Sequence, residues 1–192
     1  LRARSGPAAW VWDESLVADG TLVDACRRRF LGKLLTRVAL VGERLLGADI
    51  ELGYLSGWAE GNGLAEALIA SRDRELQMAT STVGPHRSDI QIRVRTRRAR
   101  DTVSRGQEKL VAAALTLAQV ELVSEARGQT IVLLLDEPGA DLDREHLARL
   151  LSEVAAVPAQ AFVTSLDPAS VTLPAGARAF HVEHGSVQAQ VL

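Results

Sequence analysis

At 192 residues, 47% hydrophobic and 24% charged, the chain has room for one domain, or one domain and a small lobe, of ordinary globular composition. A formal net charge of −2 excludes a globally basic nucleic-acid binder, and 4% aromatics exclude an extended stacking platform for single strands, so any DNA surface must be local. The single cysteine excludes an internal disulfide, no apolar run reaches the roughly 20 residues of a membrane span, and LRARSGPAAW holds no hydrophobic signal core, which together point to a cytoplasmic location with no membrane partner.

Residues 1–20 carry the turn signals Ser5-Gly6-Pro7 and Asp19-Gly20, with Trp10 and Trp12 between them as anchors. Thr21 and Asp24 form a capping-box pattern. Beyond it Val23, Cys26, Phe30, Leu34, Val38, Val41 and Leu45 recur three or four apart, which predicts a long amphipathic helix over about 21–46 that Gly47 ends. Cys26 is then a small core residue. Arg27, Arg28, Arg29, Lys33 and Arg37 decorate the same helix, as a solvated face or as a contact for DNA or a partner. Ile50–Tyr54 is a short strand candidate. Leu64–Met78 reads as a second helix, with Leu64, Leu68 and Leu76 inward and Arg72, Asp73, Arg74 and Glu75 outward. Residues 1–78 are therefore expected to form a mainly helical lobe.

Composition changes at Thr80, and residues 79–192 are expected to form a second unit. Ser81-Thr82-Val83-Gly84-Pro85-His86-Arg87 is a small-residue turn. It leads into Asp89–Arg95, whose alternation predicts a strand with Ile90, Ile92 and Val94 inward. Ser104-Arg105-Gly106-Gln107 opens a helix to about Ala126. The apolar run Ile131–Leu135 suits a central strand of a parallel sheet covered on both faces. A helix around Leu147, Leu150, Leu151 and Val154 follows, which Pro158 prevents from continuing, then a strand over Gln160–Thr164. A hairpin of Phe180–Glu183 and Val187–Val191 around His184-Gly185 closes the chain. His181 and His184 are structural. Alternating strands and helices predict an α/β layered fold.

Two stretches carry chemistry. Asp136 and Glu137 end the apolar strand and precede a Pro-Gly turn and Asp141-Leu142-Asp143. Adjacent carboxylates at the carboxyl end of such a strand are placed to hold magnesium and activate a water, the Walker B pattern of nucleotide-hydrolysing proteins; an ordinary acidic turn is the alternative. Ser104-Arg105-Gly106-Gln107, at a helix N-terminus, offers backbone N–H groups and the positive end of the helix dipole to an anion, unless Ser104 merely caps the helix.

Together, SRGQEK, a helix, IVLLLDEP and GADLD resemble the signature motif, Walker B segment and D-loop of the ABC-type ATPase superfamily. Gly84-Pro85-His86-Arg87 upstream narrows the resemblance to the C-terminal half of the RecF family of bacterial DNA replication and repair proteins. The resemblance implies an ABC-type ATPase head, with an incomplete P-loop NTPase-like sheet and a mainly helical second lobe. It implies that Asp136 holds magnesium and that Glu137 orients or deprotonates the attacking water. RecF proteins often carry Asp where Glu137 stands, so this is a departure, although Glu there is usual in the wider superfamily. Ser104, Arg105, Gly106 and Gln107 would meet ATP bound by the other subunit of an ATP-dependent homodimer, Asp141 to Asp143 would cross the dimer interface, and Thr164 (or Ser165) would be the switch residue. His86 and Arg87 receive no role.

The implied function is ATP-dependent binding of DNA at gaps or single-strand/duplex junctions in recombinational repair and the SOS response, with recombination mediator proteins such as RecR as partners. The alternatives are the head of another SMC-like ATPase, a transporter's nucleotide subunit, or a non-catalytic dimerisation module. The sequence has no G-x-x-x-x-G-K-[ST] loop: Gly32-Lys33 precedes Leu34 inside a helix. With no initiator Met, a truncated chain is expected, inactive alone as an ATPase and with an unpaired sheet edge.

Overall fold

A computed structural model of the chain describes residues 13–167, 171–172, 174 and 176–190. Trp10, Trp12 and Val191 lie outside the described residues. The architecture is α/β. The described residues up to Leu40, with Ala48–Val103, form one compact unit, and Val41–Gly47 with the described residues from Ser104 onward form another.

In the first unit, helix α1 (Asp13–Leu46) precedes strand β1 (Ile50–Leu55) and helix α2 (Leu64–Met78). Then come a three-residue 3-10 turn (Pro85–Arg87), strands β2 (Asp89–Val94) and β3 (Arg97–Arg98), and the single turn α3 (Ala99–Thr102). The strands form an antiparallel sheet in the order β1-β2-β3, with Ile50 opposite Val94 and Leu55 opposite Asp89. Leu34, Val38, Ile50, Leu64 and Leu68 are buried.

Four expectations are corrected here. The helix starts at Asp13 rather than near residue 21 and runs through Asp19-Gly20. A Cβ at Gly20 would lie 2.5 Å from Leu64 Cδ2 and 2.9 Å from Pro85 Cγ, so this glycine admits close packing and makes no turn. Cys26 is exposed rather than a core residue, and Val23 and Phe30 remain 39% and 41% exposed, because the buried stripe of α1 becomes continuous only from Leu34 onward. Glu75 is buried at 8% exposure while Leu76 is 44% exposed, the reverse of the predicted facing. The carboxylate turns inward because the loop after α2 presents amides that need an acceptor. In β2, Ile92 and Val94 are partly covered but Ile90 is 44% exposed.

The second unit holds helix α4 (Arg105–Arg127), strand β4 (Ile131–Leu135), helix α5 (Arg144–Ala156), strand β5 (Ala159–Val163) and the hairpin β6 (Ala179–Glu183) and β7 (Ser186–Gln190). α4 buries Leu110, Val111, Ala114, Leu117, Ala118 and Val120. It ends at Gly128 in the left-handed conformation, whose N–H donates to Ser124 O. β4 and β5 pair in parallel, with Leu133 opposite Ala161 and Leu134 opposite Phe162. The expectation that β4 is covered on both faces is corrected: Leu133 is buried, but Val132 and Leu134 are 57% and 73% exposed. α4 and α5 pack beside this strand pair, and among the described residues β5 is the only strand paired to β4. Arg44, near the end of α1, is bonded through Nε to both carboxylate oxygens of Glu153 at 2.8 Å.

Candidate functional site

The parallel pairing of β4 and β5 brings the segments after both strands together. Thr164 N donates to Leu135 O at 2.9 Å, extending the ladder by one bond. The Thr164 hydroxyl then donates to Asp136 Oδ1 at 2.6 Å and accepts from the Glu137 amide at 3.0 Å. One side chain thus fixes the acid that ends β4 and the backbone of the acid beside it.

Beyond Asp136 the chain turns sharply. Glu137 and Asp141 have φ of 47° and 65°, unusual for residues with a Cβ. Ala140 N donates to Glu137 O and Leu142 N to Gly139 O. Lys109, one turn into α4, donates from Nζ to Glu137 O at 3.2 Å and to Ala140 O at 2.7 Å. A single ammonium therefore joins α4 to two carbonyls of this turn. Gly106 is the second link. A Cβ there would stand 2.6 Å from Asp141 O, so only glycine lets the two backbones come this close.

The remaining predicted residues take local roles. Ser104 and Gln107 form a reciprocal capping box: Ser104 Oγ accepts from Gln107 N at 3.3 Å, and Gln107 Oε1 accepts from Ser104 N at 3.0 Å. Arg105 is exposed in the first turn of α4. Asp143 caps α5, accepting from His146 N at 2.8 Å on Oδ1 and meeting His146 Nδ1 at 2.8 Å through Oδ2. The backbone and ring hydrogen bonds from His146 hold the Asp143 carboxyl below its ordinary range. Ser104 to Gln107, Asp136, Glu137, Asp141, Asp143 and Thr164 all belong to the second unit.

A magnesium ion fits Asp136 in a limited way. Its carboxylate is exposed, Thr164 engages one oxygen, and the other is a hard ligand of the type Mg²⁺ takes. Among the described residues no group of three or more His, Cys, Asp or Glu could hold a metal, so phosphate and water would complete the shell.

The α1 residues expected to meet DNA, Arg27, Arg28, Arg29, Lys33 and Arg37, lie in the first unit and differ in what they touch. Arg28 donates to Asp24 Oδ2 at 2.8 Å and sits 5.0 Å over the Tyr54 ring; its bond to Asp24 raises the guanidinium pKa. Arg29 Nη2 lies 3.6 Å from Cys26 Sγ, Lys33 is exposed and Arg37 is half-buried. Arg27 Nη1 donates to Pro85 O at 2.7 Å and to Ser88 Oγ at 2.5 Å.

Two residues with structural work to do received no role from the sequence. Lys109 closes the SRGQEK stretch quoted for the signature motif, and that membership is its signal. Glu75 has none. Its Oε1 accepts from Thr82 N at 2.6 Å, Val83 N at 3.1 Å, Thr82 Oγ1 at 3.2 Å and Ser81 Oγ at 3.3 Å. Burial works against its charge, but these donors outweigh it and hold the carboxyl below the usual glutamate value.

No protein-family profile matches the chain. It is 38% identical to the DNA replication and repair protein RecF of Stenotrophomonas maltophilia (strain R551-3), across 98% of this chain and 54% of that protein. It is 33% identical to RecF of Shewanella sediminis (strain HAW-EB3), across 92% and 50%. The chain thus spans about half the length of the curated relatives it matches. Among solved structures, one described as the recombination mediator protein RecF with ATP, in the RecFOR pathway, superposes with a TM-score of 0.78 at 24% identity, over 97% of this chain and 51% of that one. A structure from work on ATP-driven dimerisation and DNA-stimulated activation of SMC ATPases superposes at 0.54 with 14% identity, covering 88% and 89%. The fold is therefore that of RecF and SMC ATPase heads.

Proposed function

We propose that this chain, RecF-like over nearly all of its length, supplies the signature segment, Walker B carboxylates and D-loop of a DNA replication and repair ATPase. A phosphate-binding loop outside this sequence would complete the nucleotide site. The observation that carries the reading is the linkage around Asp136: Thr164 bonds both Asp136 and the Glu137 amide, while Lys109 bonds the carbonyls of Glu137 and Ala140. A lone acidic turn needs neither.

In this reading Asp136 holds Mg²⁺, which when bound neutralises phosphate charge and orients the nucleotide. Glu137 orients or deprotonates the attacking water. Ser104, Arg105, Gly106 and Gln107 of one copy face ATP held by a second copy, and the Asp141–Asp143 turn lies at the contact between copies. Residues 1–78 and 79–192 are proposed as the helical lobe and the ATPase lobe. DNA with gaps or single-strand/duplex junctions would be the macromolecular partner, met in part by Arg27, Arg28, Arg29, Lys33 and Arg37, with mediator proteins such as RecR recruited there. A cytoplasmic location follows from that role; among the described residues no helix is long and apolar enough to cross a membrane.

Glu137→Gln in the protein as its gene encodes it tests the reading. Removing a general base costs typically 10²–10⁴-fold in turnover. ATP hydrolysis should fall by about that much while ATP binding persists. Unchanged hydrolysis would assign the carboxylate to the turn alone, and no hydrolysis by the unaltered protein would favour a non-catalytic dimerisation module.

A further inference from the structure

The loop over 81–88 is held more firmly than its exposure requires. Arg87 donates from Nε and Nη2 to Ser81 O at 3.0 and 2.7 Å. Gly84 N donates to Gly57 O, and a Cβ at Gly57 would stand 2.3 Å from Gly84 O. Glu75 gathers the Thr82 and Val83 amides from beneath. Arg27 reaches across from α1 to Pro85 O and Ser88 Oγ. Arg27, His86 and Arg87 all remain exposed.

What these two guanidinium groups bond to matters. Arg28, Arg44, Arg72 and Arg149 are each bonded to a carboxylate, of Asp24, Glu153, Asp13 and Glu145 respectively. Arg27 and Arg87 instead bond carbonyl and hydroxyl oxygens, which fix the side chain and leave its positive charge uncancelled. An exposed arginine normally loses side-chain freedom when it binds an anion; here much of that ordering has already happened in the fold. The planar fork of a guanidinium matches phosphate oxygens in number and spacing.

We propose that Arg27 and Arg87, flanking the Pro85-His86 turn, form a preorganised site for the phosphodiester backbone of DNA. The proposal rests on the DNA-repair reading above and deepens it by placing a backbone contact in the Gly-Pro-His-Arg loop. Contacts to phosphate position a protein on the duplex and are salt-dependent without being sequence-specific.

The test is a salt titration of binding to a labelled duplex with a single-stranded extension, using the protein as encoded, with and without ATP. Arg27→Gln with Arg87→Gln removes both charges; at position 87 the amide nitrogen stands as many bonds along the side chain as the Nε that donates to Ser81 O, while at position 27 it falls two bonds short of the Nη1 donor. The slope of log affinity against log salt should become shallower by about 0.9 for each phosphate that is no longer neutralised. Weakening should be alike on unrelated sequences. Arg149→Gln, whose arginine is already paired with Glu145, should leave the slope as it was. Arg27→Lys with Arg87→Lys should restore most of the slope, whereas a purely structural role for these arginines would not be rescued by charge. An unchanged slope in the double glutamine variant, or no rescue by lysine, overturns the site even where duplex binding and ATP turnover are intact. No duplex binding by the unaltered protein would overturn the DNA reading and this site together, leaving the Glu137→Gln result to judge the ATPase assignment separately.

Discussion

Thr164 illustrates how much one hydroxyl can organise. It donates to Asp136 and accepts from the amide beside it, so Thr164→Val removes two hydrogen bonds with little change of shape. The site is exposed, and the lost stability should be only about 1 kcal/mol. Orientation of the acid pair is a different matter. In the encoded protein, turnover should drop by about tenfold or more, the rate equivalent of roughly 1.4 kcal/mol. Wild-type turnover in the valine variant would remove Thr164 from the site. Glu75 makes a second prediction at this scale. Its folded pKa lies below the ordinary glutamate value, so its contribution to stability is fully present above that value and is lost as the pH falls through the lowered one. The stability gap between the wild type and Glu75→Gln, measured by denaturant unfolding, should therefore narrow below about pH 4. A gap independent of pH would mean that the charge contributes nothing.

At the scale of elements, the second unit joins its predicted site residues through the start of α4. Two features secure that junction: Lys109 bonding the carbonyls of the turn after β4, and Gly106 admitting Asp141 O. Gly106→Ala would force backbone against backbone, and overpacking of this type costs about 1–3 kcal/mol. Thermal unfolding should register that loss. Since alanine otherwise favours a helix over glycine, a stabilised variant would show that the close approach does not constrain the turn. Cost at Gly106 also separates two readings of Ser104-Arg105-Gly106-Gln107. A helix start needs only the capping box between Ser104 and Gln107. The glycine is explained by the junction with Asp141.

At the scale of the molecule, one face of the β4-β5 pair is bare among the described residues. Leu134 and Phe162 are register partners on β4 and β5, and they are 73% and 54% exposed; Val132, two residues away on the same face, is 57% exposed. Among the described residues neither strand has a partner on its outer edge. Exposed apolar strands with open edges pair readily with other chains. The 192-residue chain should therefore self-associate with rising concentration, and Leu134→Lys should shift it toward the monomer in light scattering. A wild-type chain that stays monomeric at high concentration would sink that expectation.

Read from the residues, the α/β order, the extent of α2 and α4, the strand that ends just before Asp136 and Glu137, and the hairpin around His184-Gly185 were all legible. Each depends on short-range periodicity and turn chemistry, which neighbouring residues carry. The motifs at Ser104, Gly84 and Asp136 were legible for the same reason, and they were enough to identify the RecF-like character that the relatives bear out. What only the tertiary structure decided is how distant segments use the same groups. Gly20 continues a helix because Leu64 and Pro85 pack on it, Cys26 stays exposed because the buried stripe of α1 begins later, and Glu75 turns inward because a loop seven residues on lacks an acceptor. Asp24, four residues before Arg28 on the same helix, is a partner that local sequence offers, but Arg27 meets Pro85 O and Ser88 Oγ, which only the fold brings to it. A charge is neutralised by its neighbour in space, and local sequence names that neighbour only when it lies within a helical turn.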